Sequence, residues 1–343
     1  MTEKKSAYAE AGVDIDEMMS SLTSVKEMVK QTNTAGVLSS IGSFGGLFKS
    51  PGADCILVSS ADGVGTKLKV AAMAGIHDTV GQDLINHCVN DILVQGAKPL
   101  FFLDYLGTAK LKGDVFQNVV KGLCTACMEN GCTLLGGETA EMPGLYPEGE
   151  YDLVGTIVGS VDADKIITGE NIKKGDVLIG LPSSGLHTNG YSLARKVIFD
   201  DAGLGVDDLL PGTDKTVADI LLAVHKSYLK PTLALMDEVT IAGMAHITGG
   251  GFYDNIPRIL PDGVGVEINK STWRVPAVYK FIQNTGGVDE YEMYRVFNMG
   301  IGFVIIVDED DVIKTLEILS EAYAKPIVIG KVVSGEKVVT LIS

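Results

Sequence analysis

The stretch CILVSSADGVGTKL, residues 55–68, decides the fold class of this 343-residue chain. Its apolar start is typical of a buried strand, the glycines after Asp62 predict a turn, and a helix is predicted from Lys67 to Met73. The same order of strand, glycine-rich turn and helix returns along the chain. We therefore predict an α/β fold with some α+β character.

Apolar periodicity and turn residues place the other predicted elements. In the first half, an amphipathic helix is predicted over 14–31, and a glycine-rich stretch from Ile41 to Gly46 follows it. Further first-half predictions are helices at 84–96 and 115–130, strands at 98–107 and 151–161, and a short strand within 131–144 that stops at paired glycines. Second-half predictions are a strand at the end of 170–181, helices at 190–200, 217–239, 252–260 and 311–322, and strands at 244–250, 263–269 and 300–308. The loop before the 170–181 strand places a domain border near Ile172, giving domains 1–171 and 172–343.

Charge and cysteine content limit the class of partner. The net charge of −16 and the pI near 4.7 argue against nucleic acid and against an anionic membrane. An odd number of cysteines, five, suits buried thiols in a reducing compartment, and the C-x-x-C pair Cys124 and Cys127 lacks the further ligands of a zinc site. The N-terminus has no secretory pattern and no stretch is long enough to cross a bilayer, so we expect a cytoplasmic protein.

Acidic residues occur in the glycine-containing motifs of the first half. The chain has neither common phosphate-loop signature, yet it carries Asp62 in DGVGTK, Asp91 in VNDIL, and Glu138 and Glu141 in GGETAEMP. Magnesium binds through a few carboxylates, water and substrate phosphates, so convergence of these acids predicts a Mg·ATP site. Taken singly, each acid is equally explained as a turn or helix-cap residue. Lys67, at a predicted helix start, is a candidate phosphate ligand or a solvated lysine.

Two second-half loops carry further candidates. The loop SSGLHTNGYSLAR, residues 183–195, places His187, Thr188 and Asn189 between an apolar strand and a helix. His187 is a candidate acid, base or hydrogen-bond donor, and a surface loop histidine explains the spacing equally well. Three consecutive glycines at 249–251 precede another helix, the layout of a backbone anion cradle.

These motifs, in this order, resemble the phosphoribosylformylglycinamidine cyclo-ligase family, also called aminoimidazole ribonucleotide synthetases. The motifs are DGVGTK, VNDILVQGAKPLFFLDY, GGETAEMPG, SSGLHTNGYSL, HITGGGFYDNIPR and FNMGIG. The resemblance covers nearly the whole chain. It implies a homodimer in which N-terminal strands of two subunits form one β-barrel flanked by helices, beside a C-terminal α/β sandwich. It also implies ATP-dependent closure of formylglycinamidine ribonucleotide to 5-aminoimidazole ribonucleotide, with release of ADP and phosphate.

The resemblance also assigns roles to single residues. It implies magnesium ligation by Asp62, Asp91 and Glu138, with Glu141 a weaker addition, and a catalytic group of Lys26, Lys67, Asp91 and His187. The implied nucleotide or phosphate contacts are Gly63, Gly65, Thr66, Lys67, Gly136, Gly137, Thr188, Asn189, Gly249, Gly250 and Gly251. Periodicity alone makes Lys26 an exposed helix lysine. Small departures from the family pattern occur at Ala61, Thr188 and Asp254, and the sequence leaves a potassium requirement open.

Two rival functions were weighed. One is another ATP user of the same superfamily, such as a thiamine-phosphate kinase or a selenophosphate synthetase, but the loops at 183–195 and 246–258 argue against it. The other is a non-catalytic nucleotide-binding subunit, which would be expected to lack some of the acids. Asp62, Asp91 and Glu138 are all present. We expect His187 to act on the substrate, because its loop lies far in sequence from these acids.

Overall fold

The computed structural model describes residues 6–10, 37–39, 46–50 and 54–343. Within these ranges the chain is mixed α/β and contains two sheets, as the sequence predicts. The predicted helix at 14–31, most of the glycine-rich stretch that follows it, and Lys26 lie outside the described residues. A short helix, α1 (Ala7–Glu10), is tied to the second half, because the amide of Tyr8 donates to Glu292. No helix in the described ranges combines the length and apolarity needed to cross a bilayer.

The first sheet has five strands in the order β1-β2-β5-β3-β4. Strands β3 and β4 are parallel, and the other neighbouring pairs are antiparallel. The strands are β1 (Gly46–Lys49), β2 (Cys55–Gly63), β3 (Lys98–Thr108), β4 (Thr133–Glu141) and β5 (Tyr151–Asp162). The helices of this half are α2 (Lys67–Ala74), α3 (Asp78–Leu93) and α4 (Gly113–Asn130). Strand β1 was not predicted, α3 begins six residues before its predicted start at 84, and the other elements lie close to their predicted positions.

Helix α3 packs across β2, β3 and β5 and is almost entirely buried. Its close contact with α4 depends on two glycines. A Cβ at Gly81 would lie 2.3 Å from the carbonyl oxygen of Val119, and a Cβ at Gly122 would lie 2.3 Å from that of Asp78. The backbones of the two helices therefore touch, and α4 holds α3 in place against the sheet.

The prediction that the strand within 131–144 is short and stops at its glycines is wrong. Strand β4 runs through both Gly136 and Gly137, because its parallel pairing with β3 continues across them. A Cβ at Gly137 would lie 2.2 Å from the carboxylate of Asp104 on β3. The glycine thus leaves room for a neighbouring side chain rather than ending the strand.

The second sheet has six strands in the order β11-β8-β10-β6-β9-β7, of which only β11 and β8 run parallel. Every side chain of its strand β9 is buried. The strands are β6 (Val177–Pro182), β7 (Ile241–His246), β8 (Val264–Asn269), β9 (Ile301–Val307), β10 (Ile327–Ser334) and β11 (Val339–Ile342). The helices are α5 (Tyr191–Arg195), α6 (Val217–Leu221), α7 (Leu229–Met236), α8 (Gly251–Asn255), α9 (Ala277–Gly286), α10 (Glu290–Val296) and α11 (Val312–Glu321).

Several second-half elements differ from prediction. A π-helical turn, Lys196–Asp201, completes the predicted helix at 190–200. The strand predicted at 244–250 begins at Ile241 and ends at His246, so the glycines that follow belong to a loop. Helices α9 and α10 were not predicted, although Val278 and Ile282, both buried, give α9 a one-sided apolar pattern.

The prediction of a single helix at 217–239 is also wrong. The segment forms α6 and α7, joined by an irregular link at 222–228. Side chains from elsewhere in the chain bind the backbone of this link. Asp83 accepts the amide of His225 at 2.7 Å, and Asn90 both accepts the amide of residue 228 and donates to the carbonyl of residue 226. Asp83 and Asn90 lie on α3, so this link fastens the second half of the chain to the first.

Candidate functional site

Four of the five histidines in the sequence lie in one buried cluster where the two halves meet. Each is no more than 4% exposed. They come from four separate elements, namely α3 (His87), the loop after β6 (His187), the 222–228 link (His225) and the end of β7 (His246). Burial of this many ionisable rings needs compensating partners, and each ring has polar neighbours within the cluster.

His87 lies between two of the predicted acids. Its Nε2 is 2.8 Å from Oδ2 of Asp62 and 3.7 Å from Oδ2 of Asp91. Burial alone would lower the pKa of His87, but the charges of Asp62 and Asp91 outweigh burial and raise it to about 9. In turn His87 outweighs the effect of burial on Asp62 and lowers the pKa of that carboxyl. The structure thus brings Asp62 and Asp91 together, as predicted, through a histidine that was not predicted.

A chain of hydrogen bonds continues from His87 into the second half. Nδ1 of His87 lies 2.7 Å from Oγ1 of Thr188, which lies 3.3 Å from Nδ1 of His225. Nε2 of His225 lies 3.0 Å from Nε2 of His246, and Nδ1 of His246 returns to Oδ1 of Asp91 at 2.8 Å. The cluster is therefore a closed ring of contacts that starts and ends at α3.

His187 lies against this ring. It stacks on His225 with ring centroids 3.9 Å apart, and its Nε2 accepts the amide of Ser184 at 3.2 Å. Burial, followed by nearby cationic groups, lowers the pKa of His187 well below the ordinary value, so the ring is neutral near pH 7. With Nε2 accepting, Nδ1 carries the proton, and this buried nitrogen has no hydrogen-bond partner in the part of the chain that the structure describes. His187 is thus a neutral ring packed against the histidine cluster, although its loop is distant in sequence from α3.

Lys67 does not occupy the position expected for a phosphate ligand. Its side chain is fully buried, and Nζ contacts both carboxylate oxygens of Asp83, at 2.8 and 2.9 Å. Nζ also donates to the carbonyls of His187, at 3.1 Å, and Ala223, at 2.8 Å. Three donations require the ammonium form, so the pair is ionised although burial lowers the pKa of Lys67 and raises that of Asp83. Lys67 joins the two halves and has no donor left for a phosphate.

The glycines at 249–251 allow close packing of the backbone, in addition to any role in binding a ligand. Gly251 has φ of 58°, and a Cβ there would lie 1.9 Å from the carbonyl oxygen of Tyr294. Gly250 has φ of 96° and precedes α8. A Cβ at Gly249 would meet Oδ1 of Asn189 at 3.2 Å, so the loop at 183–190 and the glycine loop face each other. This arrangement leaves the phosphate-cradle prediction untested.

Glu138 lies apart from Asp62 within one chain. Asp62 on β2 is aligned across the sheet, through β5 and β3, with Gly137 on β4. Three inter-strand steps separate them, a distance of about 14 Å. Both Glu138 and Glu141 are exposed, and Glu141 accepts the amide of Leu111. Neither glutamate therefore joins the Asp62–Asp91 pair inside a single subunit.

The other predicted contacts surround the turn after β2. Gly63 donates its amide to Asp62, and Gly65 has φ of 69°, a conformation that favours glycine. Oγ1 of Thr66 lies 3.2 Å from Oγ of Ser192 in the second half. The DGVGTK turn thus lies beside the loop at 183–195, and the two motifs form one surface.

Comparison with known proteins gives the family. The model for "AIR synthase related protein, N-terminal domain" matches residues 34–161, and that for "AIR synthase related protein, C-terminal domain" matches residues 173–342. The chain is 51% identical over 339 residues to the phosphoribosylformylglycinamidine cyclo-ligase of Geotalea uraniireducens (strain Rf4), covering 98% of this chain and 97% of the relative. It is 47% identical over 344 residues to that of Alkaliphilus metalliredigens (strain QYMF), covering 99% of both. The chain belongs to the phosphoribosylformylglycinamidine cyclo-ligase family. The predicted resemblance is confirmed, and the chain is a carbon–nitrogen ligase of purine biosynthesis.

Solved structures with lower identity share the fold of this cyclo-ligase. Thiamine monophosphate kinase from Aquifex aeolicus matches with a TM-score of 0.62 at 14% identity, covering 96% of this chain and 98% of the kinase. Hydrogenase maturation protein HypE in complex with ATP matches with a TM-score of 0.62 at 19% identity, covering 91% of this chain and 85% of that protein. At these identities the likeness shows the fold alone.

Sequence reasoning missed four residues of the candidate site, namely Asp83, His87, His225 and His246. One signal for His87 was present, because NHCVND places His87 and Asp91 four residues apart, on one face of a helix. The scarcity of histidine was a second signal, since with five in 343 residues each one is a candidate. His225 gave no usable signal, because it lies in a segment predicted to be helical.

Proposed function

We propose that this chain catalyses the ATP-dependent closure of formylglycinamidine ribonucleotide to 5-aminoimidazole ribonucleotide. The observation that carries the proposal is the meeting of motif loops from both halves at Asp62 and Asp91. The DGVGTK turn, the α3 segment NHCVND and the loop containing Thr188 all contribute to that one site. An enzyme that must hold a nucleotide and a second anionic substrate together requires such a junction.

The chemistry explains why ATP is consumed. The formyl amide oxygen is a poor leaving group, so the oxygen first attacks the γ-phosphorus of ATP and the bond to the β-phosphate oxygen breaks, releasing ADP. The amidine nitrogen then attacks the carbon of the resulting imino-phosphate. That nitrogen loses a proton, and the carbon–oxygen bond breaks to release inorganic phosphate. Catalysis therefore depends on alignment and on stabilising phosphoryl charge.

The residues present fit a divalent cation that accompanies ATP. Asp62 and Asp91 supply two carboxylates within 3.7 Å of one nitrogen, and the Asp62 side chain is 41% exposed. A cation held there would shield the charge of the transferred phosphoryl group. We assign this cation to Mg²⁺·ATP, with a K⁺ requirement left open. The crystal structure of HypE, a protein of this fold, in complex with ATP supports the proposal that this chain binds a nucleotide.

The remaining roles follow from position. We propose that His187 donates a hydrogen bond from Nδ1 to the substrate, and that Lys67 positions both loops instead of binding phosphate. We also propose that the glycines and polar residues of three loops contact the nucleotide or a phosphate group. These are Gly63, Gly65 and Thr66, then Thr188 and Asn189, then Gly249, Gly250 and Gly251. Lys26 remains a proposed catalytic residue, and the domain border remains proposed near residue 172.

We further propose a homodimer in which two first-half sheets close into a barrel. Strand β4 is an edge strand and most of its side chains are exposed. Leu103 on β3 and Leu135 on β4 are 41% and 61% exposed, which is costly for an apolar sheet face without a partner. In such a dimer Glu138, Glu141, Gly136 and Gly137 would lie at the interface, where they are proposed to complete the nucleotide site. We keep the cytoplasm as the proposed location.

The test is phosphate release from ATP with and without formylglycinamidine ribonucleotide. We expect release that requires the ribonucleotide, with one imidazole product per phosphate. An Asp91→Asn variant should lose turnover by several orders of magnitude, and Asp162→Asn, on the exposed end of β5, is the matched control. Release that is equal with and without the ribonucleotide, or transfer of phosphate to a product that keeps it, would contradict the proposal.

A further inference from the structure

The C-terminal end of α4 brings two cysteines together. The helix stops at Gly131, which has φ of 66°, and the amide of Cys132 then donates to the carbonyl of Cys127 at 3.0 Å. Side chains at these two positions of a glycine-ended helix commonly contact each other. The hydrogen bond also keeps the two Cα atoms less than about 7 Å apart, a separation that a disulfide spans. The helix end therefore pairs Cys127 with Cys132, whereas the C-x-x-C spacing of the sequence would pair it with Cys124.

The two thiols of this pair differ in burial and in protonation. Cys127 is 3% exposed, and Cys132 is half-buried. The hydrogen bond between the two side chains, followed by burial, raises the pKa of Cys127. The same bond outweighs burial at Cys132 and lowers the pKa of that thiol. Cys127 is thus the proton donor of the pair, and Cys132 carries the larger share of thiolate, the form that reacts with oxidants.

Contacts on either side of the pair hold it in place. Asn130, the last residue of α4, donates to Asn86 of α3 at 2.8 Å and accepts from Ser227 at 2.6 Å. Cys132 packs against the core, whereas Leu135, three residues later, is 61% exposed. Because side chains alternate along extended backbone, Cys132 lies on the helix-covered side of the first sheet, opposite the face proposed for the dimer. Two thiols held in contact in this way react with each other far faster than separate thiols do.

We propose that Cys132 and Cys127 form a thiol modification site, in which a peroxide oxidises Cys132 and Cys127 then closes a reversible disulfide. In the first step the thiolate sulfur of Cys132 attacks one oxygen of the peroxide. The oxygen–oxygen bond breaks, hydroxide leaves, and Cys132 becomes a sulfenic acid.

The second step takes place within the pair. The sulfur of Cys127 attacks the sulfur of the sulfenic acid, the sulfur–oxygen bond breaks, and the leaving hydroxide takes the thiol proton to form water. The two cysteines thereby lose two electrons, which reduce the peroxide. An excess of dithiothreitol reverses the reaction by thiol–disulfide exchange.

The experiment maps the disulfide in the full chain, with neither ATP nor ribonucleotide present. The protein is treated with hydrogen peroxide, blocked with iodoacetamide, and digested with proteases that cut after lysine, arginine and glutamate. Cleavage after Glu129 separates the pair. Cys127 then lies on peptide 122–129 and Cys132 on peptide 130–138, so a disulfide joins two peptides that mass spectrometry detects. Fragmentation of the first peptide identifies which of its two cysteines is bridged.

Three variants assign the roles of the thiols. Cys127→Ser should accumulate a sulfenic acid at Cys132 that dimedone traps, because the resolving thiol is gone. Cys132→Ser should leave Cys127 reduced at the same dose of peroxide. Cys124→Ser is the matched control, because Cys124 is half-buried on the same helix, and it should form the disulfide as the unsubstituted chain does. Circular dichroism checks that each variant is folded.

We expect linked peptides that dithiothreitol separates, and iodoacetamide labelling of Cys132 at pH 7 that is at least about 3-fold faster than that of Cys124. The absence of a disulfide, a disulfide from Cys132 to another cysteine or between two chains, or equal labelling of Cys132 and Cys124 would overturn the inference. If a serine variant does not fold, peptide mapping and labelling of the unsubstituted chain decide. Ribonucleotide-dependent phosphate release by the reduced chain tests the proposed function separately, because neither result predicts the other.

Discussion

Replacement of Lys67 by Met should destabilise the fold more than any change to a surface lysine. The substitution keeps the length and apolar stem of the side chain but removes a buried positive charge that contacts Asp83 at 2.8 Å. Among the described residues it leaves the Asp83 carboxylate with the amide of His225 as a hydrogen-bond donor, and it removes the Lys67 donor from the carbonyls of residues 187 and 223. Loss of one partner from a buried ion pair costs about 3 to 5 kcal/mol.

Urea denaturation measures this cost. With an m-value of about 3 kcal/mol/M, a loss of 3 kcal/mol lowers the unfolding midpoint by about 1 M. The matched control is Lys121→Met, because Lys121 pairs with Asp78 at the surface, at 3.3 Å, with 67% of its side chain exposed. Pairs of that kind contribute about 0 to 1 kcal/mol.

A double variant tests whether the unpaired charge of Asp83 causes the destabilisation. Lys67→Met combined with Asp83→Asn removes both charges, so its destabilisation should be smaller than the sum of the two single variants by about 1 kcal/mol or more. Strict additivity, or a Lys67→Met midpoint equal to that of Lys121→Met, would refute the assignment of Lys67 as an ionised joint between the halves. Phosphate-dependent protection of Lys67 from chemical modification would also refute it.

Three further predictions rest on other parts of the molecule. Gly251→Ala should lower the free energy of unfolding, measured in urea, by about 3 kcal/mol or more, because φ is positive there and the added Cβ would clash with a carbonyl oxygen. Gly263→Ala, where φ is 85° but the space around a Cβ is open, should lower it by only about 1 to 2 kcal/mol. His187→Gln should lower kcat about 100-fold and leave the calorimetric Kd for ATP unchanged; normal turnover, or loss of ATP binding, would show that its role is misassigned. Leu135→Glu on β4 should convert a sedimenting dimer into monomer, and Met128→Glu, 75% exposed on α4, should not; a dimer in both would place the interface elsewhere.

The sequence predicted the first half of the fold well because its patterns are local. The strand from Cys55, the turn at Gly63 and the helix from Lys67 are each specified within a few residues. Failures occurred where distant side chains decide the backbone. Residues 222–228 leave the predicted helix because Asp83 and Asn90 bind their amides and carbonyls, and no window around 217–239 contains those two residues.

The candidate site was predicted in part for the same reason. Asp62 and Asp91 were identified because several acids in the first-half motifs suggest a metal, and the structure brings them together. Lys67 was assigned to phosphate because a lysine at a helix start usually faces solvent, and its burial depends on contacts more than 100 positions away. His246 and His225 become site residues only when the second sheet is packed on α3. The role of such residues is a property of the assembled fold.

The link at 222–228 is recognised through its backbone, and this has a consequence for how the chain can change. The carbonyls of residues 223, 225 and 226 are bound by Lys67, Asn86 and Asn90, and this recognition does not depend on which side chains the link carries. Ala223, Val224 and Lys226 should therefore accept many replacements, while the side chains that bind the link should accept few. A saturation library covering both segments would show this asymmetry as a sharp contrast in surviving variants, with the strictest positions lying on a helix and the freest on the irregular link beside it.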